Sequence, residues 1–127
     1  MAYRFNKHYS REEARALLPQ IQSWLRRLNE QRLALEQTDA RVKGLRPEGQ
    51  DLGGALVNKQ TRVVAEIREL LLEFHNREIM IKDLPRGLID FPAVIGGREV
   101  FLCWEMGEQD IEFWHDIDSG YAGREPL

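Results

Sequence analysis

Asp90, Glu112 and His115 are residues of this chain whose types and neighbourhood could carry acid–base or metal chemistry. Two carboxylates on adjacent strands raise each other's pKa, so that one can donate a proton while the other accepts one. Arg86 and Arg124 are equally good partners for them, and an ion pair sealing the end of the chain is the plainer reading, because a carboxylate among aromatics must find a donor whether or not it reacts. His115, Asp116 and Asp118 form a His-Asp-x-Asp cluster, an ordinary ligand set for zinc, manganese or iron. Neighbours on an extended chain point to opposite sides, so an Asp-rich turn holding a hydrogen-bonded histidine explains the same residues, and no metal or cofactor is implied. Cys103 is a nucleophile only if His115 is brought to it; as a lone strand cysteine it is otherwise a small buried apolar group. Trp104 and Trp114 could stack a planar ligand or simply pack. His8 and His75 stand alone.

These residues lie in a predicted β unit over 79–115. Ile79–Ile81 reads as a short strand and Leu88–Val94 as a longer one. Gly96 and Gly97 supply the positive φ angles of a tight turn, and Arg98–Met106 returns. That turn sets Asp90 opposite Cys103, Phe91 opposite Leu102 and Pro92 opposite Phe101. Gly107 and Glu108 mark the next reversal, followed by a third strand over Asp110–His115. An equally tight second turn sets Leu102 opposite Phe113, Cys103 opposite Glu112 and Phe101 opposite Trp114. Alternation then sorts two faces. Ile89, Phe91, Ala93, Val100, Leu102, Trp104, Ile111 and Phe113 form a core face. Asp90, Pro92, Phe101, Cys103, Glu105, Glu112 and Trp114 form an outer face unlike a plain solvated one. The tail over 116–127 is expected to cover it, with Ile117 and Tyr121 on Phe101 and Trp114 and with Arg124 reaching a carboxylate. A partner or a small-molecule ligand is the other occupant this face admits, contacting Arg86, Asp90, Phe101, Cys103, Trp114 and Arg124.

Two helices must support this unit. Ser10 and Glu13 have capping-box spacing and start a helix over 10–43, with Pro19 bending it or marking its first turn. Leu17, Ile21, Trp24, Leu28, Gln31, Leu35, Thr38 and Val42 step by four and three, the seam of a helix packed lengthwise on a partner. Glycines and Pro47 interrupt the pattern. A second seam, Leu56, Gln60, Val63, Ile67, Leu70 and Phe74, belongs to a helix over 54–78. The pair forms an antiparallel αα-hairpin with Trp24 near Phe74 and Thr38 near Gln60. Leu18, Leu25, Val64 and Leu71 lie off the seam and need another cover, while Leu33 and Val57 are left to solvent or a second chain. The first seam spans about 40 Å, longer than the sheet it supports.

The chain has 127 residues, the size of a single α+β domain over 1–127. Its net charge of -3 offers no field for polyanions, which argues against nucleic acid as a partner. No apolar run approaches membrane-spanning length, the single cysteine cannot form an internal disulfide, and the N-terminus has no apolar signal core, so a cytoplasmic protein is expected.

The segments Ser10–Ala14, Ile81–Leu84, Gly87–Pro92, Leu102–Trp104, Phe113–His115 and Gly120–Arg124 together resemble domain-of-unknown-function family 2203, small prokaryotic proteins with a helical pair and a motif-rich C-terminal part. The resemblance covers nearly the whole chain and is specific in its C-terminal half. It implies the fold unit and brings no assigned activity. The function expected from all of this is a cytoplasmic interaction or assembly module. Its hairpin makes a homodimer and its β face binds a partner or ligand. The alternative is a small metal-dependent or acid–base hydrolase using Asp90, Glu112 and His115.

Overall fold

A computed structural model of the chain describes residues 2–44 and 54–127. Helix α1 spans Arg11–Lys43 and α2 spans Gly54–His75. The capping box forms as its spacing implies: the Ser10 hydroxyl accepts from the Glu13 N–H, and the Glu13 carboxylate accepts from the Ser10 N–H. Pro19 sits inside α1 without ending it. The turn expected around Pro47 and Gly49 lies outside the described residues.

Helix α2 stops at His75, three residues short of the expected 78, and the reason is local. Glu78 adopts a left-handed conformation with φ of 57°, while its N–H donates to the His75 carbonyl and that of Ile79 to Phe74. This is a Schellman closure, in which Ile79 and Phe74 pack together in the core. Glycine is the usual residue there. Glu78 instead uses its carboxylate to accept the N–H groups of Asn6 and Lys7, tying down the leading segment of the chain.

Five strands follow: β1 Met80–Asp83, β2 Leu88–Ile95, β3 Arg98–Glu105, β4 Phe113–Asp116 and β5 Glu125–Pro126. They form one antiparallel sheet in the order β1-β2-β3-β4-β5. The fold is therefore α+β, a helical hairpin followed by a small antiparallel sheet whose last strand comes from the ordered tail. Pro92 is tolerated within β2 because its backbone faces past the end of β1, where its carbonyl accepts the Tyr9 N–H at 2.7 Å.

The core lies between α1 and the sheet. Leu18, Ile21, Leu25 and Leu28 meet Ile89, Phe91, Val100, Leu102 and Trp104, with Phe74 of α2 at the base. Leu18 and Leu25 thus receive the cover their position demands. Along the hairpin, Trp24 meets Phe74 edge-on at 5.6 Å. Toward the loop the seam turns polar, with Gln60 bonding to Asp39, the neighbour of the expected Thr38, and Arg27 and Gln31 to Glu66. Thr38 is buried and satisfies its hydroxyl on the Ala34 carbonyl one turn back.

The β2–β3 register is the expected one, Asp90 opposite Cys103 and Pro92 opposite Phe101. The β3–β4 register differs by one residue. Leu102 pairs with Trp114, Cys103 with Phe113 and Phe101 with His115. The cause is the connection, which is no tight turn but runs from Met106 to Glu112. It is held by the Trp104 indole N–H donating to the Glu108 carbonyl, by Ile111 buried in the core, and by Asp110 bonded to Arg15 of α1 at 2.7 Å. A slip of one residue turns every β4 side chain over. Trp114 therefore packs against the core side, and Phe113 and His115 move to the outer face, opposite to the expectation for Phe113 and Trp114. The third strand is also shorter than Asp110–His115.

Candidate functional site

Cross-strand neighbours share a face, so the observed registers bring Asp90, Cys103 and Phe101 together with His115 and Phe113. Asp90 and His115 are both buried, to 1% and 2% exposure, and His115 Nε2 lies 3.0 Å from Asp90 Oδ1. The other ring nitrogen, Nδ1, is 2.8 Å from the Asp116 carbonyl oxygen. A carbonyl only accepts, so Nδ1 carries a hydrogen and donates it. The contact with Asp90 needs a second proton, held by either partner. The pair is therefore neutral overall, as imidazolium with carboxylate or as imidazole with carboxylic acid. Burial pushes the Asp90 carboxyl above the usual carboxylate range, and the charge and hydrogen bond of His115 pull it back only partly.

Cys103 completes the cluster. Its thiol lies beside Asp90, and its pKa is pushed up to about 12, first by burial and then by the Asp90 charge. The fold does bring His115 to Cys103, but a buried thiol held protonated is a poor nucleophile. Asp90 Oδ, Cys103 Sγ and the His115 ring nitrogen all lie within 4.8 Å of one another.

Two chain segments close over this cluster. From the C-terminal side, the Arg124 guanidinium lies 3.7 Å from the Phe113 ring centroid and 4.6 Å from that of Tyr121, forms an ion pair with Glu108, and places Nη1 3.9 Å from Cys103 Sγ. From the N-terminal side, Phe5 packs edge-on against Phe101 at 5.5 Å. Glu99 fixes that segment by accepting from the Arg4 and Phe5 N–H groups and pairing with His8 Nε2 at 2.7 Å. Lys82 reaches the Phe101 ring from the side of β1, at 5.3 Å. The tail thus covers its share of the face through Arg124, as expected. Phe101 is covered by Phe5, not by Ile117 or Tyr121.

The remaining candidates fall elsewhere. Glu112 is exposed, and its carbonyl accepts the Leu127 N–H, so it forms no carboxylate pair with Asp90. Asp116 and Asp118 are exposed and pair with Arg98 and Arg4, so neither joins His115 in a ligand set. Arg86 bonds to Glu105 at 2.7 Å and lies 4.5 Å from the Tyr121 ring centroid, at the rim of the face. Trp114 carries Arg98 over its ring, away from the cluster. Sequence reasoning missed Phe5, Glu99, Glu108 and Lys82 as partners of this face. The signal for Glu108 was present, since a carboxylate at a strand reversal opposite a glycine-rich, arginine-bearing tail is a natural pairing.

A second surface lies on α2. Val57, Val64, Leu71 and Leu72 are 39 to 45% exposed on the side turned away from α1. The surface continues past His75 to Met80 at the sheet edge. Among the described residues, no helix is long and apolar enough to cross a membrane.

The model of the family described as "uncharacterized conserved protein (DUF2203)" matches residues 7–127. The chain belongs to that family. No curated protein and no solved structure matches it.

Proposed function

We propose that this protein is a cytoplasmic assembly module that pairs with a second copy of itself through the outer face of α2. The observation that carries this reading is the line Val57, Val64, Leu71, exposed and repeating every seven residues, with Leu72 beside it. A seven-residue repeat keeps one line of side chains against another helix, and α1 already occupies the neighbouring seam. An antiparallel pair of α2 helices related by a two-fold axis near Val64 sets Val57 against Leu71 of the copy, and the small Thr61 and Ala65 let the helices approach. Such a contact is self-complementary and gives a closed four-helix arrangement. The cytoplasmic setting is supported by the single reduced cysteine, buried and without a partner for a disulfide.

The outer sheet face contributes less to this reading than the sequence suggests, because Asp90, Phe101, Cys103 and His115 lie buried beneath Phe5 and Arg124. The hydrolase alternative loses its second carboxylate with the exposure of Glu112.

The test is the mass in solution. Light scattering at micromolar concentration should give twice the chain mass, and Val64→Glu should give a monomer whose circular dichroism matches the parent. A monomeric parent protein would end the proposal.

A further inference from the structure

We propose that Asp90, Cys103 and His115 form a binding site for a divalent ion of the zinc class, tying β2, β3 and β4 together. One carboxylate, one sulfur and one imidazole converge from three adjacent strands, with their ligand atoms all within 4.8 Å of one another. Zinc bond lengths of about 2.0 to 2.3 Å at a tetrahedral angle separate ligand atoms by about 3.3 to 3.6 Å. Asp90 Oδ1 and His115 Nε2, now 3.0 Å apart, would open slightly to admit the ion between them and Cys103 Sγ. The mixed donor set is one that zinc accepts and that harder ions such as magnesium do not.

The orientation of His115 supports this assignment. A metal-bound histidine characteristically donates its other ring N–H to a carbonyl or carboxylate. Here Nδ1 is committed to the Asp116 carbonyl, and Nε2 is aimed into the cluster.

The charge balance also fits. Without metal, the cluster holds a neutral thiol and a neutral Asp90–His115 pair sharing one proton. An incoming divalent ion displaces two protons to solvent, one from the thiol and the shared one. The product, M²⁺ with thiolate, carboxylate and neutral imidazole, is again neutral. The exchange therefore places no net charge in a buried site, which avoids the main penalty of burying an ion. Arg124 is neutralised by Glu108 and holds Nη1 where it can donate to a Cys103 thiolate. Lys82, on this side, is exposed, so water screens it.

This proposal does not depend on pairing through α2, and each can fail alone. The test is titration of the reduced, metal-stripped, full-length protein with Co²⁺ at neutral pH. One ion per chain is expected. It should show a thiolate-to-cobalt charge-transfer band in the ultraviolet and visible bands of tetrahedral strength, both abolished by one equivalent of Zn²⁺. Asp90 and His115 variants risk unfolding, so the diagnostic change is Cys103→Ser, nearly isosteric and checked by circular dichroism. It should remove the charge-transfer band and weaken Co²⁺ binding by at least about tenfold, the lower end of what even second-shell changes cost. His75→Ala, on the surface, should leave both unchanged. No spectral change at millimolar Co²⁺, or a spectrum and affinity that survive Cys103→Ser, overturns the proposal.

Discussion

The buried aspartate and histidine share one proton across a 3.0 Å contact. Because His115 Nδ1 is bound to a carbonyl, its Nε2 can accept, and an asparagine at position 90 can still donate to it. Asp90→Asn should therefore cost only about 1 kcal/mol, the worth of one altered hydrogen bond. His115→Ala strands the buried Asp90 carboxyl and opens a hole beside Phe101, and should cost about 3 kcal/mol. Urea denaturation of the two variants checks this. Equal losses would show that the ionic form of the pair is what the fold needs.

At the scale of the elements, two glycines of similar backbone conformation separate strain from crowding. Gly96 has φ of 59° with open space where a Cβ would stand, whereas Gly87 has φ of 65° and a Cβ there would lie 2.7 Å from the Met106 Cβ. Gly96→Ala should cost about 1 kcal/mol, the left-handed penalty alone. Gly87→Ala should cost about 2 to 4 kcal/mol, since the crowding against Met106 adds to the same penalty. Thermal melts of the two proteins give the comparison. The elements themselves were largely legible in the sequence. Ser10 and Glu13 announced the start of α1, the seam placed Trp24 on Phe74, and Gly96-Gly97 placed Asp90 on Cys103. What was not legible was the length of the connection after Glu105. It is fixed by contacts distant in sequence, Asp110 with Arg15 and Ile111 with the core, which no local pattern shows. That single unknown set Phe113 in place of Glu112 opposite Cys103 and turned His115 onto the same face. The leading segment was illegible for a similar reason. Phe5 has no periodic neighbours, and its position is set by Glu99, more than ninety residues away.

Across the whole molecule, the first and last segments meet over one face of the sheet. Burial pushes the Glu99 carboxyl up, but the bonds from His8 and the Arg4 and Phe5 N–H groups outweigh it and hold its pKa below the ordinary value. A carboxyl whose folded pKa is depressed stabilises the fold above its unfolded pKa of about 4.3, and the contribution disappears as pH falls through the folded value. The Arg4–His8 segment should therefore release on acidification below about pH 4. The protection factor of the Phe5 amide against hydrogen exchange should fall there, and Glu99→Gln should show the low protection already at neutral pH.

Pro92 has a consequence at this same scale. A sheet whose outer strand is shorter than its neighbour normally leaves a bare template on which another chain can add a strand, the first step toward fibres. Beyond the end of β1, β2 offers a residue with no donor, and its one acceptor is already occupied by Tyr9. Growth by strand addition has no foothold at that position. Under the pairing proposed above, copies of this chain would meet through their helices instead, in an association that closes on itself and stops.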